Sequence, residues 1–271
     1  MSVGERVTPP HIFPCSDNDL NQGRWVPGNR SSCPPLRGEA TCDPSFGKQW
    51  RFDSRATQCG LIYQPPELVN ATMPSKHILF MGDSIARYLL QTLLRAMGRN
   101  VTVPHAHSDL NYSLPGTAGA LEFWWRPFPL NISEALHNLT TITTKPDAVV
   151  TSFCSWHLGF IRDLEEWKDL LETLRLAGKE LLSQGVHPVV LNCPHRIQWT
   201  DSNETWAEAQ LNSLRYNRLL TEFAQQPPWR LLNLHALMAA CGNECNKDRV
   251  HARPPVYDAA VQVLLGMFDH A

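Results

Sequence analysis

From residue 76 onward the chain switches between two rhythms. Short, nearly unbroken apolar runs alternate with longer stretches in which apolar positions recur every three to four residues. Residues 76–81 (KHILFM) form one such run, which ends at Gly82-Asp83-Ser84. Ile85, Tyr88, Leu89, Leu93, Ala96 and Met97 then fall at helical spacing, and Gly98 follows as a stop. The pattern predicts a strand, a tight turn and a helix. Further runs predict strands at 121–125, 147–152, 187–192 and 229–234, and helical periodicity covers about 161–184, 204–225 and 256–268. Arg126-Pro127-Phe128-Pro129 reads as a break after the second of these strands. Strands alternating with helices imply an α/β fold with a mostly parallel sheet covered on both faces. Unbroken apolar strands fit, because central parallel strands are buried on both sides.

Residues 1–72 follow neither rhythm. Pro and Gly recur, and four of the eight cysteines (Cys15, Cys33, Cys42 and Cys59) fall there. The expected organisation is an irregular, disulfide-bearing N-terminal lobe over 1–72 and an α/β domain over 73–271. Zinc is the other reading of these four cysteines, but their spacing contains no C-x-x-C. Pairing stays open, since four cysteines allow three connectivities. In the second half, Cys154 and Cys193 both follow strands of one sheet, which leaves a bridge and two free thiols as equal readings. Cys241 and Cys245 are near enough to close a small loop.

Composition narrows the function classes. The 271 residues are 43% hydrophobic and 18% charged, enough apolar content for a sizeable core. A net charge of -2 lacks the basic excess of a nucleic-acid binder. No apolar run approaches the ~20 residues of a membrane span, so membrane attachment is expected only through an anchor outside this chain. Seven Asn-x-Ser/Thr sequons, at Asn29, Asn70, Asn100, Asn111, Asn131, Asn138 and Asn203, join the cysteines in pointing to a glycoprotein of the secretory pathway. The first ten residues hold no signal-peptide core, so a signal or anchor is expected upstream of Met1.

In parallel sheets, ligands bind beyond the carboxyl ends of the strands. That rule singles out Ser84, 152–157 and 193–199. Ser84 lies on a strand-to-helix turn, where its hydroxyl is presented at the sheet edge and helix N–H groups face a developing oxyanion. A serine hydroxyl needs a base. Asp248-Arg249-Val250-His251 supplies one: the offset of three lets Asp248 orient His251, which then takes the Ser84 proton. His105 and His107 form an H-x-H pair with only Asp109 near as a third ligand, so no metal site is expected.

Gly82-Asp83-Ser84 with the closing Asp248-x-x-His251 resembles the GDSL/SGNH hydrolase superfamily. More closely, the chain resembles its PC-esterase branch, which includes the trichome-birefringence-like polysaccharide O-acetyltransferases. Cys15 with Gly23-Arg24-Trp25-Val26, Trp50-Arg51-Phe52 before Cys59, Gly82 to Arg87, Glu122 to Phe128, and Asp248 to His251 with Pro255 and Asp258 occur in that branch's order over about 15–265. The resemblance implies an SGNH-like three-layer αβα sandwich with a small Cys-rich lobe. It also implies Ser84-His251-Asp248 ester chemistry on acetylated sugars, an acetyl-serine intermediate and work in the Golgi lumen, with an extracellular site second. No bound cofactor is expected; an acetyl donor serves as co-substrate and a glycan or polysaccharide as acceptor.

The chain departs from the branch where an Asn-x-Gly-His-Trp run is usual. Here Ser152 stands at the Asn position, Cys154 at the Gly position and Trp156 at the Trp. Tyr88 and Ala252 also replace the usual Asn and Trp. The expected oxyanion donors are therefore the Ser84 N–H, Ser152 and Ser155. Substrate contacts are expected from Arg87, Trp156, His195 and Arg196, with Trp124, Trp125 and Trp199 as further sugar-stacking candidates. Acetyl transfer leads; acetyl-ester hydrolysis and a glycan-binding module without turnover are the alternatives.

Overall fold

The computed structural model describes residues 16–27, 48–59, 61, 63–73, 75–99, 104, 107–114, 119–195, 203 and 205–269. In chain order these hold α1 (Asp17–Leu20), β1 (Gly23–Pro27), β2 (Lys48–Phe52), α2 (Ser54–Gln58), α3 (Pro66–Thr72), β3 (His77–Gly82) and α4 (Ser84–Ala96). Next come β4 (Leu110–Ser113), β5 (Ala120–Trp125), α5 (Pro129–Thr141), β6 (Ala148–Ser152) and α6 (Cys154–Trp156), which runs into a π-helical turn (His157–Ile161). The chain continues through α7 (Leu164–Ser183), β7 (His187–Leu191), α8 (Trp206–Ala224), β8 (Arg230–Leu232), α9 (Leu234–Cys241) and α10 (Pro254–Asp269).

Six strands form one sheet in the order β4-β5-β3-β6-β7-β8. All neighbours are parallel except the edge pair β4–β5. Strand parity assigns the two faces. Ile78, Phe80, Val150 and Leu191 join a core with α4, α9 and α10, whereas Leu79, Met81, Val149 and Val190 join one with α5, α7 and α8. The result is the expected αβα sandwich, an SGNH-like fold. The chain moves from β3 to β5 on one side and then crosses to β6 on the other. Strand order therefore reverses at β3, and the cleft at its carboxyl end is the place where such sheets bind ligands.

The N-terminal segment is more regular than its composition suggests. β1 and β2 pair antiparallel, with Trp25 opposite Trp50, and α3 starts on Pro66 in the first turn. Leu20, Ala56, Leu61, Val69 and Met73 are buried in the same core as α4 and α10. Asp17 and Asn21 also seal the free edge of β8. Asp17 accepts from the Leu231 N–H and the Arg230 guanidinium, and Asn21 donates to Leu231 O and accepts from the Asn233 N–H. An edge strand otherwise exposes unpaired backbone groups.

Two disulfides have both cysteines among the described residues, Cys154–Cys193 across the ends of β6 and β7, and Cys241–Cys245 after α9. Cys59 is disulfide-bonded as well. Cys15, Cys33 and Cys42 lie outside the described residues, as do Asn29, Asn100, His105, Arg196 and Trp199. Among the described sequons, Asn70, Asn111, Asn138 and Asn203 are exposed and Asn131 is half-buried. No helix among the described residues is long and apolar enough to cross a membrane.

Candidate active site

The site begins with a glycine. Gly82 ends β3 at φ +142, a region that L side chains rarely adopt, and a Cβ there would lie 1.8 Å from Ser152 O. The close approach lets the turn lock onto both neighbouring strands. The Arg126 N–H donates to Gly82 O and the Asp83 N–H to Ser152 O, each at 3.0 Å. Asp83 is then the N-cap of α4, its Oδ1 accepting from the Ile85 N–H at 2.9 Å. Ser84 heads the helix, half-buried at the sheet edge.

The partner arrives from the other end of the chain. Asn246 and Ala252 form an antiparallel bridge, and the Arg253 N–H donates to Cys245 O at 2.8 Å, so residues 246–252 make a closed loop ahead of α10. Asp248 turns back on that loop and accepts from the Val250 and His251 N–H groups, both at 2.8 Å. Its carboxylate also meets His251 Nδ1, at 2.9 Å from Oδ2 and 3.0 Å from Oδ1. His251 Nε2 lies 2.7 Å from Ser84 Oγ. An unbroken line of polar contacts thus runs from an exposed carboxylate through an imidazole to the hydroxyl. Burial pushes the Asp248 carboxyl up, but the two N–H groups and the His251 ring outweigh this and hold it below its ordinary value. Tyr88 sets the imidazole from the side: the rings meet at 5.1 Å and 83°, and Lys247 Nζ donates to the Tyr88 hydroxyl at 3.3 Å.

Four sequence-based expectations need correction. Ser152 is 2% exposed and donates its hydroxyl proton to Asp83 Oδ1 at 3.0 Å. A hydroxyl has one proton, so Ser152 serves the carboxylate and not an oxyanion. Ser155, also buried, likewise hydrogen-bonds to Asp83. His195 is buried, its ring 5.0 Å from that of His235, which contacts Asn217 in turn, so it is not an open substrate contact. Arg87 is buried too, its guanidinium 5.7 Å from the centre of the Tyr88 ring. Of Arg87, His195 and Trp156, Trp156 alone is half-buried, at the sheet edge, and the stacking candidates Trp124 and Trp125 are half-buried as well.

The sequence reading gave Asp83 no part of its own beyond the motif. The structure gives it a larger one. It is 0% exposed, and burial lifts its carboxyl from 3.8 to about 6 against the pull of Ile85, Ser152, Ser155 and Ala86. The signal lay in the sequence, since Ser152 stands where the resemblance expects an Asn, and Ser155 follows three residues later. The described residues contain no group of three or more His, Cys, Asp or Glu that could hold a metal ion.

No family model matches the chain. Protein ALTERED XYLOGLUCAN 9 of Arabidopsis thaliana is 25% identical over a 302-residue alignment covering 97% of this chain and 80% of that protein. Among solved structures, a putative acylhydrolase from Bacteroides fragilis superimposes with a TM-score of 0.51 at 14% identity, over 74% of this chain and 92% of that one. An acetyl-xylooligosaccharide esterase variant from Geobacillus gives a TM-score of 0.46 at 13% identity, over 71% and 94%.

Proposed function

We propose that the protein is a serine-dependent O-acetyltransferase that moves an acetyl group onto a glycan hydroxyl. The observation that carries this reading is the Ser84–His251–Asp248 line at the switch point of the sheet. Similarity to a plant protein whose name refers to xyloglucan supports a polysaccharide acceptor. The disulfides support an oxidising compartment, of which the Golgi lumen is the proposed one.

Chemistry follows from the geometry. Ser84 Oγ attacks the carbonyl carbon of an acetyl ester, and its proton passes to His251 Nε2. Asp248 holds the ring in the tautomer that accepts at Nε2 and stabilises the imidazolium. The backbone N–H of Ser84 at the head of α4 is positioned to steady the oxyanion. The tetrahedral intermediate collapses, the donor's alkoxide leaves with the proton from His251, and acetyl-Ser84 remains. A sugar hydroxyl then attacks that ester and gives its proton to His251, which returns a proton to Ser84 as the acetylated sugar departs. No cofactor takes part in these steps, and the acetyl donor enters as co-substrate.

Hydrolysis is the second reading, and one observation favours it. Asp248 keeps 47% of its side-chain surface exposed, so water reaches the edge of the site. The experiment is acetate release from 4-nitrophenyl acetate by wild type and Ser84→Ala, with and without a xylo-oligosaccharide. The expected outcome is a loss of at least about a thousandfold in the variant and acetylated sugar among the wild-type products. Free acetate alone would favour the hydrolase. Equal rates in both proteins would remove the serine mechanism and favour a binding module.

A further inference from the structure

The carboxyl edge of the sheet carries aromatic rings that the chemistry above does not use. Trp125 ends β5, and His107 stacks on it with centroids 4.2 Å apart and planes 5° from parallel. Trp156, beyond the end of β6, meets Trp125 edge-on at 5.7 Å. Phe128 lies edge-on to Trp156 at 5.5 Å, and Phe160 lies beside it at 5.0 Å, tilted by only 30°. The series therefore joins the ends of the two strands that flank β3, the strand leading to Ser84.

Its position is fixed by polar contacts. Asp109 accepts from the Trp125 N–H at 2.7 Å and grips the Arg126 guanidinium with both oxygens, at 3.0 and 3.1 Å. That grip holds His107 over Trp125 and also neutralises the Arg126 charge. The rings are not core. His107 is exposed, Trp125, Phe128 and Trp156 are half-buried, and Phe160 is 60% exposed. Linked aromatic surface left in water beside a reactive centre marks a ligand contact.

We propose that this series is the acceptor subsite and that it takes a neutral pyranose residue, stacked on the Trp156–Phe160 pair, with the His107 ring and indole edge at its rim. The inference rests on the acetyltransferase reading for its occupant and adds where the acceptor lies. The chain approaches over the ends of β5 and β6, not over β7 and β8, where His195 is buried. Aromatic faces carry negative quadrupole density, which attracts the slightly positive C–H face of a pyranose. Arg126, the guanidinium beside Trp125, is already paired with Asp109, so a uronate gains no charge partner there and the neutral sugar is favoured.

Binding is read in the Ser84→Ala background, so that no turnover intervenes. Xylotetraose is titrated by calorimetry, with tryptophan fluorescence as a second signal, and tetragalacturonate serves as the charged comparison. Phe160→Ala is expected to weaken xylotetraose binding about tenfold, and Phe160→Trp is expected to keep it. Phe160 is mostly exposed, so the Ala variant should unfold at the parent temperature. Unaltered affinity in Phe160→Ala, or tighter binding of the uronate, would overturn the proposal. The two readings fail separately. Acetate release that survives Ser84→Ala removes the transferase chemistry, while Phe160-dependent sugar binding would still stand.

Discussion

Asp83 and Asp248 both serve the turn that carries Ser84, and they live in opposite surroundings. Asp83 is 0% exposed, held by Ser152, Ser155 and the first N–H groups of α4, and its carboxyl is lifted to about 6. Asp248 has 47% of its side chain in solvent and is held below the usual carboxylate range by N–H donors and an imidazole. The contrast shows that residue type does not assign the role. A carboxylate that must stay charged beside an imidazole is given donors and water, whereas one that caps a helix in the core is given donors without water and is left close to protonation.

The largest effect that would test this contrast is on rate. Asp248→Asn keeps the shape of the loop but leaves His251 Nδ1 facing an amide. Acetate release should fall about ten-thousandfold, with a melting temperature close to wild type because the side chain is half in water. A loss below tenfold would mean that Asp248 does not orient the base. Asp83→Asn should act on stability instead. The folded state holds the Asp83 proton more tightly than the unfolded chain does, so this group's contribution is fully present below about pH 4 and is lost as pH rises through about 6. The Asn variant has no such loss. Relative to wild type, it should therefore gain on the order of 3 kcal/mol between pH 4 and pH 7, read by urea unfolding at each pH. A difference that stays constant across that range would show that Asp83 does not titrate as described.

Ser152→Ala removes one donor from the buried carboxylate. It should cost about 2 kcal/mol at pH 7 and less at pH 4, where the carboxyl is protonated. If the serine were an oxyanion donor instead, acetate release would fall while stability held. The smallest change belongs to Tyr88→Phe, which keeps the ring beside His251 and under Lys247 and removes the hydroxyl that accepts from Lys247 Nζ. Activity within about threefold of wild type and stability within about 0.5 kcal/mol are expected. A larger drop in rate would mean that the Tyr88 hydroxyl, and not the ring alone, holds the imidazole.

Much of the frame was legible from periodicity. β3, β6, β7 and their following helices fall within a few residues of where the apolar runs place them, because buried parallel strands and amphipathic helices leave long, repeated signals. α5 was not legible. Arg126 to Pro129 reads as a break, yet Pro129 sits in the first turn of a helix, where its missing N–H costs nothing. β4 and the β1–β2 pair are short, and tertiary contacts hold them where local pattern does not. In the site, Ser84, Asp248 and His251 could be named because the motifs bracket the domain. His107 and Phe160 could not, since only the ends of β5 and β6 bring them to one place.

The Cys154–Cys193 bridge has a practical consequence. It fastens the segment bearing Trp156 and Phe160 to the end of β7, so the redox state of the host in which the chain is made decides how that segment is held. Material from a reducing bacterial cytosol would carry the serine line without this fastening, and a weak result with an oligosaccharide on such material would report on the preparation. Thiol titration of the purified protein under denaturing conditions belongs ahead of any assay on sugars.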